Sequence, residues 1–125
     1  MDSNDFTGIR NDRQLPNPAD VVIPSDISDL LDDYVESTES QLDELEQAVL
    51  RFEAGHNRDQ DAAEIRRILH KIKGESGMVG LDDIAAFVHE VENAFEDLTE
   101  DQCPDMLFRF KDWTITAMEH MCPGS

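Results

Sequence analysis

The sequence predicts an all-α protein, an antiparallel up-and-down four-helix bundle preceded by a flexible N-terminal arm. Three observations lead there: apolar residues recur at helical spacing in four separate segments, no segment alternates apolar and polar residues as a strand would, and the connections are short. At 125 residues the chain has room for one core and one site.

Residues 1–24 carry Pro16, Pro18 and Pro24 among Asn, Asp and Gly, with one short apolar run, Val21-Val22-Ile23. This composition reads as a flexible arm, with the bundle domain following over 25–122. The first helix opens at Ser25 or Asp26 and carries Ile27, Leu30, Leu31, Tyr34, Thr38, Leu42, Leu45, Val49 and Phe52 to Ala54, where Gly55 stops it. A second helix starts near Asp59 and keeps Ala62, Ile65, Leu69, Ile72 and Val79 on one face before Gly80 breaks it. The third carries Leu81, Ile84, Ala85, Val88, Val91, Phe95 and Leu98. Thr99, Glu100, Asp101 and Pro104 mark a turn, and the last helix presents Met106, Phe110, Trp113, Ala117 and Met121 before Pro123-Gly124.

Charge narrows the function classes. Ten Lys and Arg stand against 29 Asp and Glu, a formal net charge of -19, which repels phosphate backbones and anionic lipid surfaces. Nucleic acid and membrane are therefore not expected partners. Most of this charge, including Asp32-Asp33 and the carboxylates at 43, 44 and 46, reads as solvated helix faces. The first residues have neither a basic start nor an apolar run, so a cytoplasmic location is expected. Cys103 and Cys122 fall on one predicted helix roughly 28 Å apart at about 1.5 Å of rise per residue, too far to bridge, and reduced thiols suit that compartment.

The second helix departs from this acidic background. With its core face set at Ile65 and about 100° of turn per residue, His70 points roughly 140° away from the core. Arg66, Arg67, Lys71 and Lys73, four of the ten cations, surround it. Gly74 and Gly77 project on the same side, although each glycine in a helix interior costs about 1 kcal/mol relative to alanine. A helix that exposes a histidine, surrounds it with positive charge and clears the next turn of side chains suits an anion and a docking protein surface. Neutral imidazole is abundant at cellular pH, and one ring nitrogen can attack phosphorus while the other holds the proton. A nearby lysine can neutralise phosphoryl oxygens. His56 and His120 lack such surroundings and read as solvated side chains.

The run His70-Lys71-Ile72-Lys73-Gly74-Glu75-Ser76-Gly77-Met78-Val79-Gly80 resembles the signature of histidine phosphotransfer (HPt) domains. His89 and Glu92 on the third helix extend the likeness to the phosphotransfer domain of CheA-type chemotaxis kinases. The resemblance covers about residues 26–121. It implies that His70 is the phosphorylated residue, that Lys73 assists transfer, that Glu92 hydrogen-bonds the ring nitrogen left free, and that His89 joins the same network. It further implies that Gly74 and Gly80 shape the docking surface and the helix end; Gly77, by its place on the same side, is assigned to docking with them, and Arg66 and Arg67 either share in docking or pair with nearby acids. The expected partners are a response regulator receiver domain and a histidine kinase catalytic domain, meeting a monomeric phosphoryl carrier that is not itself an enzyme. ATP and magnesium would belong to those partners, with no cofactor or metal held by this chain. The chain would be either a free-standing HPt protein or the first domain cut from a longer kinase. Two rival classes are a His/Glu metal-binding bundle, which the adjacent Lys73 opposes, and a passive helical adaptor, which leaves the glycines and the positive patch without a reason.

Overall fold

The computed structural model describes residues 6–10, 14–24 and 27–121, the side chain of Ser28 excepted. Four helices make the bundle: α1 (Ser28–Ala54), α2 (Arg58–Met78), α3 (Asp82–Asp97) and α4 (Cys103–Met121). α2 packs between α1 and α3, and α4 closes the ring against both α1 and α3. Cross-links fix the directions. Tyr34 near the start of α1 meets Ser76 near the end of α2, and Arg51 near the end of α1 meets Glu64 near the start of α2. Each helix thus runs opposite to its neighbour, because short connections leave no other way to bury four apolar stripes together.

The stops behave as glycine chemistry requires. Gly55 takes a left-handed conformation (φ 81°) and donates its N–H to Arg51 O. Gly80 does likewise (φ 83°), with Leu81 N–H returning to Ser76 O and Gly80 N–H to Gly77 O. This paired closure satisfies the last carbonyls of α2 and turns the chain directly into α3. The expected start of the first helix at Ser25 or Asp26 lies outside the described residues, as does Cys122.

The core follows the predicted stripes with additions. Ile68, Phe87, Ala94, Leu107 and Met118 are also buried, widening the stripes into arcs because each helix contacts two neighbours. Leu30, expected on the first stripe, is instead half exposed, in the first turn of α1.

The flexible arm is corrected for its described residues. Phe6 and Ile9 are each only 2 % exposed, belonging to the same core as the helices. The Phe6 ring stacks on Phe87 at 4.6 Å and meets Trp113 edge-on at 5.3 Å. Polar ties follow along the arm. Arg10 pairs with Asp97 at 2.6 Å, Trp113 Nε1 donates to Pro16 O at 2.7 Å, and Val22 N–H donates to Asp83 Oδ2 at 2.9 Å. The physical reason is the second apolar face of α3 and α4: Phe87 and Trp113 extend beyond what four helices cover, and the arm supplies the missing rings.

Candidate functional site

The site forms where α2 and α3 run side by side. His70 lies on the outer face of α2 with 78 % of its side chain exposed, as its angular offset from Ile65 requires. Lys73, nearly one turn on, leans toward α3. Glu92 reaches toward both from α3, three-quarters buried: its Oε1 is 2.7 Å from Lys73 Nζ and its Oε2 is 3.7 Å from His70 Nδ1. One carboxylate therefore serves a lysine directly and a histidine at the edge of contact.

His89 is placed differently. It lines an open cleft of about 330 Å³ together with Lys73 and Glu92, and its polar contact is with Asn93, Nε2 to Nδ2 at 3.5 Å. It shares the cleft, whereas the three-residue cluster itself is His70, Lys73 and Glu92. Asn93 and Glu96 were not singled out by sequence reasoning. Both follow from helical spacing, since Asn93 is one turn after His89 and Glu96 one turn after Glu92.

The basic residues divide. Arg66 is held by Glu96 and lies over the Phe95 ring at 5.4 Å, so it is largely committed within the chain. Among the described residues Arg67 pairs with Glu64, at 3.9 Å, and Lys71 is exposed; these two keep their charge on the His70 face. The glycines divide as well. A methyl group on Gly74 or Gly77 would meet nothing within 4 Å, so each stands on an open surface. Gly80 is required by its turn and touches the arm, where an added Cβ would come within 3.0 Å of Pro24. Met78, 87 % exposed, sets an apolar side chain on the surface just beyond Gly77.

In chemical terms the ring of His70 has one nitrogen turned to a carboxylate and the other free on an exposed side chain. The carboxylate can hold a proton on Nδ1, leaving the Nε2 lone pair for an electrophile. A lysine ammonium already stands beside it. The same arrangement disfavours a metal, because the Lys73 ammonium occupies the Glu92 oxygen that a cation would need. Among the described residues no three His, Cys, Asp or Glu side chains converge as metal ligands. No helix among them is long and apolar enough to cross a membrane.

Comparison with known proteins agrees with this geometry. The family model described as Hpt domain matches residues 29–121, spanning all four helices but for the first residue of α1. The chain is similar to the chemotaxis protein CheA of Rhizobium meliloti (strain 1021), 31 % identical over 71 residues. That stretch is 57 % of this chain and 9 % of the relative, so the chain corresponds to a small part of that longer protein. No solved structure matches. The matched segment holds the whole bundle and, within it, the exposed histidine with its lysine and carboxylate: this chain belongs to the Hpt domain family, the histidine phosphotransfer domains of two-component signalling.

Proposed function

We propose that His70 is the phosphoacceptor of this domain, and that the chain carries phosphoryl groups between a histidine kinase catalytic domain or a receiver aspartate and a receiver domain. The observation that carries the reading is the shared Glu92 carboxylate, 2.7 Å from Lys73 Nζ and 3.7 Å from His70 Nδ1 beside an exposed ring. In transfer from a receiver, Nε2 attacks the phosphorus of the aspartyl phosphate. The N–P bond forms as the P–O bond to the aspartate breaks, and the carboxylate leaves. The proton stays on Nδ1, where Glu92 balances the positive charge that the ring acquires. Lys73 turns its ammonium to the phosphoryl oxygens, an electrostatic and positioning role. The reverse sequence returns the group to a receiver.

On this reading the chain is a carrier rather than an enzyme, and the nucleotide and the magnesium ion that activate phosphorus belong to its partners. The test is incubation with a receiver domain phosphorylated by acetyl phosphate, followed by intact mass and peptide mapping. The expected result is one acid-labile, base-stable phosphoryl group on His70, absent in His70→Gln. Phosphorylation that persists in that variant would overturn the assignment.

A further inference from the structure

The turn of α2 that follows the histidine, Gly74-Glu75-Ser76-Gly77, has little intrinsic helical preference, yet it is helical throughout. Its outer side offers no packing, since a Cβ on either glycine would stand in open space. What holds it lies on the inner side, against α1.

Two anchors come from the residues between the glycines. Ser76, fully buried, gives its hydroxyl proton to Ile72 O at 2.7 Å. The 2.7 Å contact between Ser76 Oγ and Tyr34 Oη is therefore donated by the tyrosine, because a serine hydroxyl has one proton to give. Burial pushes the Tyr34 phenol up, so it remains protonated and able to donate. Glu75 is the second anchor. Its carboxylate accepts from Ser37 Oγ and from Gln41 Nε2, both at 2.8 Å, and Gln41 Nε2 also reaches Ser37 Oγ at 3.0 Å. Gln41 is aimed at Glu75 even though its own buried Oε1 has no partner among the described residues. Hydrogen bonding to a charged carboxylate outweighs that loss.

We propose that Tyr34, Gln41 and Glu75 are positioning residues for phosphotransfer: a polar seam from α1 that keeps the glycine-bearing turn of α2 helical, so that its stripped outer face can receive the receiver domain beside His70. The inference rests on the phosphotransfer reading. Glycine removes the side chains that would obstruct the partner, and the seam replaces the rigidity that glycine forfeits. None of the three residues touches the reacting atoms.

Two phosphoryl donors separate docking from chemistry. Phosphoramidate is small and needs no docking surface: its P–N bond breaks, ammonia leaves and the N–P bond forms at His70. A phosphorylated receiver domain must dock. In Glu75→Ala the expected result is about tenfold faster amide hydrogen exchange over residues 76–81, the factor carried by losing a hydrogen bond to a charged group. KM for the receiver should rise several-fold while the phosphoramidate rate is unchanged, and Glu75→Gln, which keeps an acceptor for Ser37, should restore most of both. Val49→Ala, a destabilising change farther along α1, should leave KM unchanged. The proposal is overturned by unchanged exchange in Glu75→Ala, by equal losses with both donors, or by the same KM rise in Val49→Ala. A wild-type chain inert to both donors overturns the phosphotransfer reading and the docking role with it.

Discussion

Lys73 Nζ and Glu92 Oε1 stand 2.7 Å apart across the boundary between α2 and α3, so the lysine beside His70 is already paired within the chain. On the proposed role of His70, a phosphoryl dianion there would compete with Glu92 for that ammonium and leave the carboxylate to hold the proton on Nδ1. The pair would then exchange partners rather than serve as a fixed bridge. Lys73→Ala should slow transfer by about 10- to 100-fold, somewhat less than the loss of a buried oxyanion donor because the site is open to water. Stability should change by less than about 1 kcal/mol, as befits a partly exposed ion pair. Rapid-quench kinetics check the first figure and urea unfolding the second; an unchanged transfer rate would remove the electrostatic role.

The N-terminal segment should prove to be structural. Phe6 is buried on Phe87 and Trp113, and Phe6→Ala should cost about 3 kcal/mol, the usual range for a buried phenylalanine, or about 10 °C in Tm. Trp113 is the sole tryptophan, so its emission reports on this cluster alone and should shift to the red when the ring is lost. An unchanged Tm and emission would mean that the arm adds nothing to the fold. Arg10→Ala, at the solvent edge of the same segment, should cost much less.

These two regions differ in how far the sequence announced them. The helices and the His70 face of α2 were legible because both are local: periodicity marks each stripe, and Lys73 shares the side of His70 one turn on, whereas Glu92, on α3, entered only through the resemblance to phosphotransfer domains. The arm was not, because Phe6 and Ile9 stand alone among polar residues and their burial depends on Phe87 and Trp113, far along the chain. Composition describes what a segment can do alone; here α3 and α4 provided the missing surface. The seam behind the glycines was hidden for a related reason. Ser37, Gln41 and Glu75 look like solvated helix residues until antiparallel packing sets α1 beside α2.

Cys103 should be chemically quiet in the folded protein. It is buried with its Sγ 3.7 Å from Phe95 O, and its thiol is pushed up to about 11 by burial, with Glu100 and Glu96 adding to the effect. The sign follows directly: the unfolded chain ionises this thiol near its ordinary pKa and the folded chain resists, so stability falls as pH rises from about 8.5. That loss is complete once the folded thiol also titrates, at about 11. Iodoacetamide at pH 8 should leave Cys103 unmodified in the native protein and alkylate it in urea, as read by peptide mapping. Rapid native alkylation would contradict the burial.

The glycines of α2 make the sharpest test, because the structure assigns them opposite signs. Gly74 and Gly77 occupy helical positions with open space around them, so Gly74→Ala or Gly77→Ala should stabilise the domain by about 0.5–1 kcal/mol, the helix preference of alanine over glycine. Gly80 has a φ of 83°, and a Cβ there would stand 3.0 Å from Pro24, so Gly80→Ala should destabilise by about 1–2 kcal/mol. Transfer from a receiver should move differently. The alanines at 74 and 77 add bulk to the strip beside His70, so receiver transfer should weaken in more stable proteins, while phosphoramidate labelling stays intact. A domain that is stabilised by Gly77→Ala and transfers as well as wild type would show that the bare strip serves no partner, and would require another reason for two glycines in the middle of a helix.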